Sequence, residues 1–166
     1  MTAEDVIQIL QLEPMPVEGG FFRETYRSRW QISREYLPDA YGGSRSIGTA
    51  IYYLITPETF SALHRLPGTE AFHFYAGDAA VMLQLLPDGT AKSIILSADL
   101  QSGHQPQVVV RGHTWQGCKL AAGGKWALLG TTMSPGFDRA DYEHGDREQL
   151  IAQYPGAVEQ IREYTR

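Results

Sequence analysis

The chain has 166 residues, 43% of them apolar and 11% aromatic, which suits one domain with a buried core and excludes a disordered segment. The formal net charge is −5 and the 14 basic residues are scattered, so there is no electrostatic footprint for nucleic acid. A single cysteine, Cys118, excludes an internal disulfide, no apolar run nears the roughly 18 residues of a membrane-spanning helix, and the acidic start lacks a signal-peptide pattern. The expectation is a soluble, cytoplasmic protein with no nucleic-acid or membrane partner.

In chain order, Thr2-Ala-Glu-Asp5 reads as a capping box opening a short helix, with Val6, Ile7, Ile9 and Leu10 as its apolar surface and Pro14 and Pro16 beyond its end. Residues 18–27 read as a strand with Phe22, Glu24 and Tyr26 on one face and Phe21, Arg23 and Thr25 on the other. A turn-rich stretch around Pro38–Ser46 precedes a strand over Ile47–Ile55. Ala80–Leu86 and Ala91–Leu96 flank Pro87-Asp88-Gly89-Thr90, a hairpin signal, and Ser97–Pro106 reads as a loop. Gln107–Arg111, Thr114–Ala121 and Lys125–Thr132 read as strands, and Ser134-Pro135-Gly136 breaks the sheet. Asp146 caps a helix over Arg147–Gln153, and Gly156 separates a last helix through Tyr164. Many short strands with helices only at the ends predict a closed or sandwiched antiparallel β fold in one domain, residues 1–166.

The stretch Phe60–Asp78 carries the chemistry. Two apolar runs, Phe60–Leu66 and Ala71–Ala76, flank the Pro67-Gly68-Thr69 turn, and His64, Glu70 and His73 interrupt them. Strand parity places His64 with Leu66, and Glu70 with Phe72 and Phe74, while His73 faces the other way with Tyr75. If His64 and Glu70 both point inward, an imidazole and a carboxylate meet inside the β structure.

This stretch resembles the first motif of the cupin superfamily: Gly, five residues, His-x-His, three or four residues, Glu, six residues, Gly. His64, Glu70 and Gly77 match it, whereas Leu66 stands where the second His belongs and the first Gly is missing. Glu18-Gly-Gly-Phe-Phe-Arg-Glu-Thr-Tyr-Arg-Ser28, Ser61-Ala-Leu-His-Arg65, His73-Phe-Tyr-Ala-Gly-Asp78, Trp115-Gln116 and Ser134-Pro-Gly-Phe-Asp138 occur in that order. Together they resemble a poorly characterised Cupin_5-type family over roughly residues 4–154, with departures at Thr69 and Phe72. The resemblance implies an all-β double-stranded β-helix, the cupin jelly-roll barrel, with short terminal helices and a homodimeric assembly.

Three chemical readings stay open. A divalent metal (Fe, Mn, Ni or Zn) needs about three imidazole and carboxylate ligands. His64 and Glu70 supply two, and Trp115, in the second-motif ligand position, has no lone pair to offer. His113, on the same face as Trp115 in a regular strand, completes a two-His-one-carboxylate set; otherwise His64 and Glu70 are a hydrogen-bonded pair and His113 sits on a loop. In the second reading His64 is a base held by Glu70, with Tyr53 or Tyr75 as the opposing acid, which suits a metal-independent isomerase or epimerase acting on a sugar-like or anionic substrate. The third is a non-catalytic binder of a small molecule, lined by Phe72, Phe74 and Trp115 and oriented by Arg23, Tyr53, His64, Glu70 and Gln116. Arg23 would clamp a carboxylate or phosphate. A metal-dependent oxygenase or isomerase is the alternative to the second reading.

Overall fold

A computed structural model describes all 166 residues. Thirteen strands run in chain order as β1 Glu13–Pro14, β2 Phe21–Arg27, β3 Gln31–Ile32, β4 Arg45–Ser46, β5 Thr49–Ile55, β6 Ser61–Arg65, β7 Glu70–Gly77, β8 Ala80–Leu85, β9 Ala91–Leu96, β10 Gln107–Val110, β11 Trp115–Leu120, β12 Ala127–Met133 and β13 Glu143–His144. Helix α1 (Ala3–Leu10) precedes them, and α2 (Arg147–Gln153) and α3 (Val158–Glu163) follow. The expected caps form: Thr2 and Asp5 exchange side-chain bonds with each other's backbone N–H, and Asp146 accepts from the Gln149 amide.

The strands make a six-stranded sheet, β1-β2-β5-β12-β7-β10, facing a five-stranded sheet, β13-β6-β11-β8-β9, with β3 and β4 as a separate ribbon. From β6 onward the chain alternates between the sheets except at the predicted β8–β9 hairpin, where Leu86 donates to the Thr90 carbonyl. This is the jelly-roll arrangement expected. The two sheets pack as a sandwich and do not close into one hydrogen-bonded barrel.

Alternation of side chains fixes three apolar layers. Between the sheets, Tyr53, Ile55, Phe72, Val108, Val110 and Leu129 meet Met82, Ile94, Leu96 and Cys118. On the outer face of the five-stranded sheet, Leu63, Leu83, Leu85 and Trp115 pack under Leu150, Tyr154, Ile161 and Tyr164 of the C-terminal helices. Leu54, on the outer face of the six-stranded sheet, is covered by Val6 and Leu12. Both faces of the central strands are therefore dry. Each fully buried Leu or Ile contributes about 1.5–3 kcal/mol, so the terminal helices are integral to the sandwich.

Candidate functional site

A cavity of about 350 Å³ lies between the sheets, lined by Tyr53, Phe72 and Thr131 of one, His64 of the other, and the segments preceding β2 and following β12. The Pro67-Gly68-Thr69 turn expected between two strands does more than reverse the chain. It carries the backbone from β6 in one sheet to β7 in the other, so His64 and Glu70 reach the interior from opposite walls.

Local irregularity aims His64. Strand β6 pairs Ser61 with Cys118 and His64 with Gln116, one residue more than its partner, and this bulge lets both Ser61 and His64 turn inward while Leu63 faces the helices. His64 is 2% exposed. Its Nδ1 lies 2.8 Å from the Ala62 carbonyl, which can only accept, so Nδ1 carries the proton and Nε2 keeps the lone pair. Gln116, directly across the ladder, donates from Nε2 to Glu70 Oε2 at 2.5 Å, and the same nitrogen is 3.3 Å from His64 Nε2. The expected imidazole–carboxylate bond is thus an amide bridge, and the Ala62 carbonyl holds the ring. The Gln116 Oε1 atom is buried without a partner. Burial raises the Glu70 pKa, the neighbouring His64 opposes that rise, and the Glu18 carboxylate adds to it.

Several sequence-derived candidates stand elsewhere. Arg23 is on the outer face of β2, its guanidinium 5.6 Å over the Tyr52 ring. Phe74 packs against the inter-sheet core without lining the cavity. Trp115 has the opposite parity to Gln116 and faces the helices, with the Arg65 guanidinium 4.5 Å above its ring. Gln116, not Trp115, is therefore the second-motif residue beside His64. His113 adopts a left-handed backbone (φ 65°) in the turn before β11, so strand parity does not reach it; it lines a separate cleft beside Arg65 and Glu143. Tyr53 lines the cavity, but its hydroxyl donates to the Gly19 carbonyl at 2.8 Å, and Tyr75 lies half exposed on the outside, stacked on His73.

Other residues complete the site. Glu18 enters from the loop before β2, accepting from Ser61 Oγ at 2.7 Å and placing its other oxygen 3.9 Å from His64 Nε2. Its signal was the Gly-Gly that follows: Gly19 and Gly20 have φ of 101° and 77°, a conformation that turns the acid into the sandwich at little cost only for glycine. A bulge at Thr25 reverses the parity of β2, so Arg27 points into the cavity beside Glu24 and pairs with it at 2.6 Å. Tyr142 stacks on His64 with ring centroids 5.1 Å apart, and burial raises its phenol pKa, with the Glu18 charge adding. Its hydroxyl is 3.1 Å from Nδ1 of His144, a surface residue whose pKa is lowered by the partial cover over its ring and by the neighbouring His64. Arg139 borders the cavity and makes no ion pair. No feature of the sequence singled out Tyr142 or Arg139, which arrive on an irregular segment.

The chemistry of the donors bears on a metal. Leu66 lines the cavity where a second imidazole would be needed, the Gln116 amide is bonded to Glu70 and stands 3.3 Å from His64 Nε2, and no group of three His, Cys, Asp or Glu side chains converges. The His64, Glu70 and His113 set does not assemble, and these residues do not fit a cupin metal site.

Two facing antiparallel sheets with a polar-floored cavity between them define a jelly roll of the cupin class. A family model described as "Cupin superfamily (DUF985)", Cupin_5, matches residues 4–145, and the chain belongs to this family. A hypothetical protein from Leishmania major is similar at 32% identity with a TM-score of 0.90, covering 99% of both chains. Protein SO0799 from Shewanella oneidensis is similar at 32% identity and a TM-score of 0.87, covering 100% of this chain and 98% of its own. An uncharacterised yeast protein, YML079W of Saccharomyces cerevisiae, is 28% identical over an alignment 133 residues long that covers 75% of this chain and 66% of the yeast protein. No helix is long and apolar enough to cross a membrane.

Proposed function

We propose that the cavity binds a small hydroxy-carbonyl compound and isomerises it by metal-independent proton transfer. The observation that carries this reading is the state of His64: its Nδ1 proton is engaged by the Ala62 carbonyl, which leaves Nε2 as a lone-pair base within the cavity lining. Nε2 takes the proton from the carbon beside the substrate carbonyl, the C–H electron pair becomes a C=C bond and the carbonyl π pair moves onto its oxygen, giving an enediolate that becomes the enediol when Glu70 protonates that oxygen. The imidazolium then returns the proton to the adjacent carbon, so the base is regenerated and no external reductant or oxidant is consumed. Glu18, 3.9 Å from Nε2, stabilises the imidazolium while it exists. Glu70, which burial biases towards its protonated form, exchanges a proton with the substrate oxygens. His64 and Tyr142 stack side by side, which supports a one-base isomerisation over a two-base inversion.

The test is solvent exchange. Aldoses, ketoses and their acid derivatives are incubated with the protein in deuterium oxide, and the C–H signal beside the carbonyl is followed by NMR. The expected result is exchange by the wild-type chain that falls by about 10²–10⁴-fold in His64→Gln. Exchange that persists unchanged in His64→Gln removes His64 as the base. A panel left entirely unexchanged by the wild type removes the isomerase reading and leaves binding.

A further inference from the structure

The charges around the cavity are unevenly placed. Its inner end holds His64 and Glu70, 2% and 7% exposed, together with the Glu18 side chain at 15%. The Glu18 carboxylate and an imidazole lone pair offer acceptors there, and a ligand carboxylate brought to them would meet the like charge of Glu18 in a dry setting. What fits that end is a hydrogen-bond donor, the hydroxyl groups of a ligand. The outer end holds two cations. Arg27 is already bound in fork geometry to both oxygens of Glu24 and to the Phe137 carbonyl. Arg139 is exposed and has no carboxylate partner, so it is the free cation of the cavity. Between the two ends the walls are apolar, with Phe22, Phe72, Ile51 and Met133. Such walls suit the C–H faces of a sugar ring or chain.

We propose that the ligand is a small polyhydroxylated monocarboxylate, a sugar acid, bound with its carboxylate on Arg139 and its hydroxyls on Glu18, Glu70 and His64. A six-carbon sugar acid is a fitting size for a cavity of about 350 Å³. This assignment rests on the reading of the His64 cavity as the ligand site, and it fixes the ligand's direction: the carbon chain enters hydroxyl end first and the acid group stays at the mouth. Arg139, and not the outward Arg23, is the anion-recognising residue.

The experiment measures binding of four probes, D-galacturonate, D-gluconate, D-galactose and succinate, by isothermal titration and by NMR shifts of the His64 ring. Wild-type, Arg139→Gln and Glu18→Gln chains are compared. The expected pattern is that both sugar acids bind, with D-galactose and succinate each about tenfold weaker. Arg139→Gln brings the sugar acids down by about tenfold and leaves D-galactose unchanged, because it removes only the charge-assisted contact. Glu18→Gln weakens all hydroxylated probes and leaves succinate unchanged. Arg139 is exposed, so Arg139→Gln keeps the fold, and an unchanged unfolding curve verifies it. Equal affinity for D-galactose and D-galacturonate, or no effect of Arg139→Gln, overturns the carboxylate assignment while the cavity still binds. Succinate binding as tightly as the sugar acids overturns the hydroxyl half. No shift of the His64 ring by any probe overturns the sugar-acid assignment outright, and the solvent-exchange experiment then judges the isomerase reading separately.

Discussion

The segment that carries Arg139 and Tyr142 to the cavity is held by a buried ion pair, and breaking it should be costly. Arg45 donates from Nε to Asp141 Oδ2 at 2.7 Å and from Nη2 to Oδ1, a two-pronged contact between side chains 5% and 6% exposed. Asp141→Ala leaves the Arg45 guanidinium shielded from water with no countercharge. Removing one partner of a buried pair costs 3–5 kcal/mol in general. Here Arg45 also feels Asp138 and sits under thin cover near the surface, so the lower end, about 3 kcal/mol, is expected. For a chain of this size that lowers the melting temperature by roughly 6–12 °C. Urea unfolding followed by tryptophan fluorescence gives the free energy, and calorimetry the melting shift. The paired replacement Arg45→Met with Asp141→Leu should recover most of the loss, since the penalty belongs to the orphaned charge. A loss in Asp141→Ala under about 1 kcal/mol, or a double variant no better than the single one, refutes the argument.

Other outcomes follow from the same structure. The pKa of Glu70 is raised on folding, so its contribution to stability is fully present below the unfolded value near 4.5 and is lost as pH rises through the folded value. Glu70→Gln should therefore gain on the wild type as pH rises from 4 to 8, and a difference that stays flat across urea titrations contradicts the buried-acid assignment. Burial pushes the Cys118 thiol up to about 12, so iodoacetamide at pH 8 should leave the native chain unmodified and react only after unfolding; native alkylation at the rate of a free thiol argues against that burial. Leu150, 2% exposed, packs beneath the five-stranded sheet, so Leu150→Ala should cost about 2–5 kcal/mol in chemical denaturation, and a loss below 1 kcal/mol means the C-terminal helices are dispensable.

Much of the fold was legible because its signals are local. The Pro87–Thr90 turn, the Thr2 and Asp146 caps and the two strands flanking Pro67–Thr69 each depend on residues within a few positions of one another, and each forms. The site was legible where polar side chains break apolar runs. His64 and Glu70 stood out that way and by the cupin spacing, and the structure brings both to the cavity wall, His64 with the help of the β6 bulge. Parity failed at the bulge that turns Arg27 inward and at the left-handed His113. It gave opposite faces to Trp115 and Gln116 correctly, but a strand dry on both sides offers no contrast to say which face is the cavity's. Glu18, Arg139 and Tyr142 come from irregular backbone, where spacing carries no directional information.

Because His64 and Glu70 hang from different layers, joined through the Pro67–Thr69 turn, the gap between them is set by the packing that separates those layers. A methylene added or removed at Met82 or Leu129, far along the chain from either group, changes that spacing as surely as an exchange of the groups themselves. The geometry of such a site can be retuned from its interior filling, leaving every polar residue in place.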